Sequence, residues 1–140
     1  MHWVTRVDVE AAPETLWRVV ADVERWPEFL ATMRHVERLG DEKLGLGSLV
    51  RIRQPRMPVL TWKVTEWTPG RSFAWQSRSG GVTTTASHTV TPRGDHSTLT
   101  LGIDQTGPAA PLVGLLLGRQ TRRYVEVEAA STKRRAESVA

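Results

Sequence analysis

Between residues 33 and 105 the sequence alternates short strand-like segments with turn signals, and one long helical pattern follows from Pro111. Turns such as Thr68-Pro69-Gly70-Arg71 leave only a few residues between neighbouring strands, which favours antiparallel hairpins over parallel βαβ units. An antiparallel sheet buries one face, and the long helix is the largest element available to cover it. The sequence therefore predicts an α+β fold in which a curved antiparallel sheet surrounds a C-terminal helix.

The predicted elements follow in the order strand, two short helices, six strands and one long helix. The first strand runs from Trp3 to Glu10 and alternates from Val7 onward. Pro13 opens the first short helix, and Pro27 separates it from the second because proline disfavours helix at the preceding residue. The later strands are predicted at residues 33–39, 48–53, 59–67, 73–78, 82–91 and 97–105. These elements form one predicted domain, residues 1–140, whose final helix has about seven turns.

The composition excludes several kinds of site. The 140 residues contain no cysteine, which rules out disulfides, thiol nucleophiles and cysteine-bound zinc or iron–sulfur centres. The four histidines lie on separate predicted elements, and no phosphate-binding glycine loop or dinucleotide motif is present, so we expect neither a metal site nor a cofactor. No leader precedes the first strand and no apolar segment is long enough to span a bilayer, so we expect a cytoplasmic protein.

The charge of the chain also fits a nucleic-acid-binding protein, since the net charge is +4 and the isoelectric point is about 10.3. Acidic residues interrupt the arginines along most of the chain, however. The two basic clusters, residues 119–123 and 133–135, both fall in the predicted C-terminal helix. A solvated helix face accounts for them, so no nucleic-acid partner is predicted.

Three stretches of the sequence carry a resemblance to a known superfamily. They are residues 9–29, which include VEAAPETLW and DVERWPEF, residues 64–71 with the sequence VTEWTPGR, and Gly107-Pro108 ahead of the long helix. Together they resemble the START-like, or SRPBCC, superfamily, and within it the polyketide cyclase/dehydrase and lipid-transport branch. The resemblance covers nearly the whole chain and implies the helix-grip fold, with seven antiparallel strands and two short helices between strands 1 and 2.

The aromatic residues indicate where a ligand would bind, because in the resembling superfamily the gap between sheet and helix is the binding site. Strand alternation places Trp62 and Val64 on one face, and Phe73 and Trp75 on one face of the next strand. Leu116 belongs to a helix row that is less charged than the opposite row. The predicted binding residues are Trp26, Phe29, Met33, Met57, Trp62, Val64, Phe73, Trp75, His88 and Leu116. The alternative is that the tryptophans only fill the core.

Catalytic groups are sparse, and only His88, Glu66 and Arg53 are weak candidates. His88 alternates with Ala86 and Val90, so it faces the interior as a general acid or base or as a hydrogen-bonded core residue. Glu66 is expected to share the buried face of Trp62 and to pair with an arginine of the long helix. The resembling aromatic cyclases carry an arginine and a tyrosine where this sequence has Trp67 and Met33, which puts cyclase activity in doubt.

The sequence therefore predicts a protein that binds or transports a small hydrophobic molecule, such as a lipid, a polyketide or an isoprenoid. The first alternative is an enzyme of the polyketide cyclase or dehydratase type that acts in the same cavity. The second is a partner-binding module, which would need an exposed apolar patch on the outer face of the sheet, where Lys63 and Thr65 are expected instead. We expect a monomer or a weak homodimer.

Overall fold

The structure, a computed structural model, describes residues 1–140. A first strand is followed by a helix, a short 3₁₀ helix (Val23–Glu28), six further strands and a long helix. The elements are β1 (His2–Val9), α1 (Pro13–Ala21), β2 (His35–Leu39), β3 (Leu49–Arg53), β4 (Leu60–Thr68), β5 (Ser72–Ser79), β6 (Val82–Arg93), β7 (His96–Thr106) and α2 (Ala110–Ser138). No helix is both long enough and apolar enough to cross a bilayer.

All seven strands form one antiparallel sheet in the order β1-β7-β6-β5-β4-β3-β2. Strands β2 to β7 are consecutive neighbours, whereas β1 lies at the far edge and pairs with β7 from His2↔Asp104 to Val9↔Ser97. The chain crosses from β1 to the opposite edge through α1 and the 3₁₀ helix. The predicted seven-stranded sheet, the long C-terminal helix and the two short helices between strands 1 and 2 are thereby confirmed.

The strand ends differ from the predicted ones by up to two residues. β2 begins at His35 rather than Met33. Met33 is buried just before the strand, where its backbone amide donates to the carbonyl of Leu30 instead of to a neighbouring strand. β6 extends to Arg93 because Pro92 still lies opposite Ser97. α2 has 29 residues, which corresponds to about 44 Å of helix.

One irregularity in β4 changes which side chains face the helix. The pairing with β5 shifts between Val64 and Glu66, so no residue of β5 lies opposite Thr65. Such a bulge reverses the alternation of side chains beyond it. Trp62 and Val64 are buried before the bulge, whereas Glu66 is exposed after it and Trp67 is half-buried. The prediction that Glu66 lies on the buried face and pairs with a helix arginine is therefore wrong.

The face of α2 that packs on the sheet is built from small side chains. Its buried residues are Ala110, Gly114, Val125, Ala129, Ser131, Thr132 and Ala136. The predicted apolar row of this helix instead faces solvent, since Leu112 is 59% exposed and Leu116 is 70% exposed. Small side chains let the helix lie close to the sheet, and the aromatic side chains of the sheet fill the space between them.

The core is packed densely at one end of this space. Leu16 and Val20 of α1 are buried under α2, and Phe73 and Trp75 of β5 are at most 2% exposed. Ion pairs hold this end together: Arg135 near the end of α2 contacts Glu28 of the 3₁₀ helix at 2.7 Å. The other end of the space lies beneath the middle of α2, beside Trp26 of the 3₁₀ helix.

Candidate ligand cavity

A cavity of about 170 Å³ lies between the sheet and the middle of α2. It is lined by side chains of β3 to β7, by the 3₁₀ helix and by residues 117–128 of α2. Apolar cavities of about 150 Å³ in other proteins are large enough to bind benzene. The cavity therefore has room for a single ring or a short alkyl chain, and a larger ligand requires its walls to move.

Trp75 is the centre of the aromatic wall. Its ring centroid lies 5.4 Å from that of Trp26, 5.9 Å from that of Trp62 and 5.5 Å from that of His88. The four side chains come from three strands and the 3₁₀ helix, and all of them line the cavity. Edge-on and tilted contacts of this kind hold aromatic rings in fixed positions. The wall is therefore a rigid apolar surface.

Six of the ten predicted binding residues line this cavity. They are Trp26, Met33, Met57, Trp62, Trp75 and His88. Five of them are buried side chains, and Met57, which is 36% exposed, lies in the segment between β3 and β4. Strand alternation, the helix break at Pro27 and the position of Met57 between two strands were sufficient to predict that these residues lie together. Whether they bind a ligand stays a prediction.

The other four predicted residues lie outside the cavity, for different reasons. Val64 and Phe73 are each 1% exposed and belong to the packed core behind the wall. Phe29 follows the end of the 3₁₀ helix and lies under Arg135, with the guanidinium carbon 5.4 Å from the ring centroid. Leu116 faces solvent, and the next residue of the helix, Leu117, lines the cavity in its place.

His88 is held in the wall as a neutral imidazole. Its Nδ1 lies 3.4 Å from the carbonyl oxygen of Phe73, and since that oxygen only accepts, the contact assigns the proton to Nδ1. The imidazole also stacks on the ring of Phe73 at 4.3 Å. Burial lowers the pKa of His88 to about 4, against a weaker opposing effect of the hydrogen bond. At neutral pH His88 therefore brings no charge to the cavity.

Glu128 of α2 is the polar group of the cavity that sequence reasoning missed. Its carboxyl lines both the cavity and a small adjoining void, and Thr32 Oγ1 donates a hydrogen bond to its Oε1 at 3.5 Å. The ion pairs of the structure do not include it. Burial raises the pKa of Glu128 to about 7, which the hydrogen bond from Thr32 only partly offsets. Glu128 therefore changes charge near neutral pH.

A correct assignment of the buried helix face would have found Glu128. It lies one residue before the buried Ala129 and three residues after Val125, so it belongs to the edge of the sheet-facing stripe. The prediction relied instead on the leucine row on the opposite side of the helix. Tyr124 was missed for the same reason, and it also lines the cavity.

Tyr124 joins α2 to the segment between β3 and β4 at the cavity mouth. Its hydroxyl donates to the carbonyl oxygen of Pro55 at 3.4 Å and accepts from Gln120 Nε2 at 3.3 Å. Arg56, which follows Pro55, has a φ of 61°, the only positive φ at a residue other than glycine. Arg56 and Met57 line the cavity on this side and Leu117 lines it on the helix side. These residues form the mouth of the cavity.

The lining also includes the polar residues Gln54, Arg56, Thr84, Gln105, Gln120 and Thr121. The indole Nε1–H of Trp62 is buried and has no hydrogen-bond partner, which is uncommon for a buried donor. Arg53 and Glu66, two of the weak catalytic candidates, are exposed and lie outside the lining. No group of three or more histidine, aspartate or glutamate side chains is arranged to hold a metal ion. The cavity thus offers an unpaired donor, one titratable carboxyl and an apolar wall.

Comparison with known proteins agrees with this architecture. Residues 1–137 match the family described as polyketide cyclase/dehydrase and lipid transport. The chain belongs to this family. The resemblance found in the sequence is thereby confirmed, and with it the expectation that the fold has a place for a hydrophobic ligand. A search of curated proteins finds no match.

Several solved structures share the fold at low sequence identity. The Zhui aromatase/cyclase from Streptomyces sp. R1128 is 20% identical, with a TM-score of 0.79 over 98% of this chain and 93% of that one. A START superfamily protein from Mycobacterium smegmatis is 19% identical, with a TM-score of 0.78 over 99% of both chains. Norcoclaurine synthase from Thalictrum flavum is 14% identical, with a TM-score of 0.76 over 97% of this chain and 93% of that one. At these identities the likeness concerns the fold.

Proposed function

We propose that the protein binds and carries a small, largely apolar molecule in the cavity between the sheet and α2. The observation that carries this proposal is the wall of Trp26, Trp62 and Trp75, which forms one side of a cavity in which 12 of the 20 lining residues are hydrophobic. Such a concave, mostly apolar space with a few fixed polar groups is the usual form of a small-molecule site. Burial of the ligand surface supplies the affinity, at about 25 cal/mol per Å² before ordering costs.

The polar groups define the ligand further. The unpaired indole N–H of Trp62 is a donor for a ligand carbonyl, ether or hydroxyl oxygen. Gln54, Gln105 and Gln120 line the cavity as well and can bind the same end of a ligand. A small lipid, polyketide or isoprenoid fragment has this combination of an apolar body and one oxygenated end. A cytoplasmic location, a monomeric or weakly dimeric state and the absence of a nucleic-acid partner stay predictions from the sequence.

The second candidate function is an enzyme of the cyclase or dehydratase type in the same cavity. Glu128 favours it, because a carboxyl with a pKa of about 7 can give or take a proton near neutral pH. His88 lies in the same lining and has a neutral Nε2 that can accept a hydrogen bond from a ligand. The fold neighbours named as an aromatase/cyclase and as a synthase are enzymes, although the fold alone does not assign their reactions to this chain.

The proposal is tested by filling the cavity. Ala86 faces the cavity from β6, so Ala86→Phe places a ring in the space a ligand would occupy, whereas Thr83→Phe adds the same ring to the opposite face of β6. Benzene serves as the probe, and its binding is measured as a saturable rise in the melting temperature. We expect this rise in the wild type and in Thr83→Phe and its loss in Ala86→Phe. Equal rises in all three proteins would place the binding elsewhere.

A further inference from the structure

The first two turns of α2 carry an unusual apolar surface. Leu112, Leu115 and Leu116 are 59%, 80% and 70% exposed. Their spacing of three and four residues places them on one face of the helix. A single exposed leucine is ordinary, but a contiguous exposed group on one element marks an interaction site. No part of the protein covers these three side chains.

Arginines continue the same face toward the middle of the helix. Arg119, Arg122 and Arg123 lie three to eleven residues beyond the leucines in the same helical phase, and all three are exposed. No carboxylate lies within 4.0 Å of their guanidinium groups. One turn later the exposed Glu126 ends this cationic stretch. The face thus has an apolar end and an unpaired cationic end, which we call the Leu112–Arg123 face.

The apolar surface also reaches the mouth of the cavity. Leu117 follows the exposed leucines, is 45% exposed and lines the cavity. Across the mouth, Met57 is 36% exposed and Val59 is 48% exposed, in the segment that Tyr124 binds to α2. Apolar side chains from two elements therefore surround the way into the cavity.

We propose that the Leu112–Arg123 face docks on the surface of an anionic lipid bilayer. The leucines enter the boundary between headgroups and acyl chains, and the arginines bind lipid phosphates at the level of the headgroups. The helix lies on the membrane and does not span it, in agreement with the absence of a spanning helix. The cavity mouth, lined by Leu117 and Met57, then lies beside the docked helix, and the bilayer is the source or the destination of an apolar cargo.

Charge selects this occupant over a second copy of the chain. A two-fold contact through this face would place the arginines of each copy against either the arginines or the leucines of the other copy, so that their charges would repel or stay unpaired. An acidic protein would satisfy the arginines equally well. The lipid surface is favoured because exposed leucines and unpaired arginines on one helix face match the acyl and headgroup layers of a bilayer. Leu117 joins this helix to the mouth of the apolar cavity, and this one step rests on the function proposed above.

The experiment measures co-sedimentation with vesicles of phosphatidylcholine alone or mixed with phosphatidylglycerol. We expect the wild type to bind the mixed vesicles, and salt to weaken the binding. The double variant Leu115→Glu/Leu116→Glu should lose at least tenfold in affinity. Val139→Glu and Leu46→Glu are matched controls, since these residues are 57% and 71% exposed away from this face, and both should bind as the wild type does.

The arginines are tested separately. Arg119→Gln/Arg122→Gln should weaken binding by about fivefold per arginine and should flatten the dependence on salt. All the substituted side chains are exposed, so an unchanged melting temperature shows that each variant is folded. The Ala86→Phe protein, whose cavity is filled, should still bind vesicles. Vesicle binding therefore tests the docking surface separately from the proposed cargo site.

Several results would overturn the proposal. One is a wild-type protein that leaves mixed vesicles unbound, and another is a leucine double variant that binds them as tightly as the wild type does. A dimer that the leucine variants dissociate, observed by analytical ultracentrifugation, would make this face a contact between copies of the chain. Binding to an acidic protein that competes fully with vesicles would assign the face to a protein partner.

Discussion

The hydroxyl of Thr32 lies 3.5 Å from Oε1 of Glu128, and this contact joins the segment ahead of β2 to the middle of α2. It gives a mostly apolar cavity a carboxyl with a single, weak protein donor. The consequence is a group whose pKa burial raises to about 7, so that small changes of pH or ligand change its charge. The stability of the protein should depend on pH through this residue.

Glu128→Gln should reduce the dependence of the protein's stability on pH. The ordinary pKa of the Glu128 carboxyl is 4.5, and its pKa in the folded protein is about 7. At pH values between these two, the unfolded chain has lost the Glu128 proton while the folded protein retains it. Stability from this group is therefore complete below pH 4.5 and is lost as the pH rises to about 7, by at most roughly 3 kcal/mol. Urea unfolding at pH 4.5 and pH 8 should show a smaller difference for Glu128→Gln than for the wild type.

The exposed neighbour Glu126 provides the control for this measurement. Glu126→Gln removes a carboxylate two residues away, on the solvent side of α2, and should leave the pH dependence of stability as it is in the wild type. An identical pH profile for wild type and Glu128→Gln would show that the Glu128 carboxyl is hydrated and titrates as an ordinary glutamate.

His88 should remain neutral to unusually low pH. Its pKa is lowered from 6.5 to about 4, so between these values the unfolded chain binds a proton that the folded protein does not. The contribution of His88 to stability is present above pH 6.5 and is lost as the pH falls toward 4. In NMR spectra its ring resonances should keep their positions from pH 8 down to pH 5, and a midpoint near 6.5 would mean that His88 is hydrated.

Trp62→Phe tests the unpaired indole donor. The substitution keeps an aromatic ring in the wall and removes an N–H that has no partner, so the free energy of unfolding should change by less than about 1 kcal/mol. Trp75→Ala, in contrast, empties part of the fully buried wall and should destabilise by about 3–5 kcal/mol. A large loss from Trp62→Phe, measured by urea unfolding, would indicate that its N–H is bonded within the protein.

Gly107 at the junction of β7 and α2 should be sensitive to a single methyl group. Its φ is +107°, and a Cβ there would lie 2.5 Å from the carbonyl oxygen of Gly81. Gly47 has a φ of +84° but open space around it, so Gly47→Ala measures the backbone strain alone, about 1 kcal/mol. Gly107→Ala should lower the melting temperature clearly more than Gly47→Ala does. Equal losses would show that the backbone at the junction shifts to accept the methyl group without further cost.

Much of the fold follows from the sequence because its signals are local. Turn residues such as Pro69-Gly70 and the alternation in β6 define the strands without knowledge of their partners. The bulge at Thr65 is different, because a bulge is a property of the pairing between β4 and β5. That is why the side on which Glu66 lies was predicted incorrectly.

The site was predictable in part. Trp26, Trp62, Trp75 and His88 follow from strand alternation and from the helix break. The contribution of α2 does not, because its buried stripe consists of small residues such as Ala129, whereas its leucines are exposed. A prediction that places large apolar residues inside therefore assigns the wrong face of α2 to the cavity. It selects Leu116 in place of Leu117, and it misses Glu128.

Native mass spectrometry of the protein isolated from its own host tests the central claim most directly. The account predicts an adduct of one small apolar molecule on the wild type and on Thr83→Phe, and no adduct on Ala86→Phe, which fills the cavity without touching the outer face of β6. An adduct retained in full by the cavity-filled protein would contradict the account, because the molecule would then bind elsewhere.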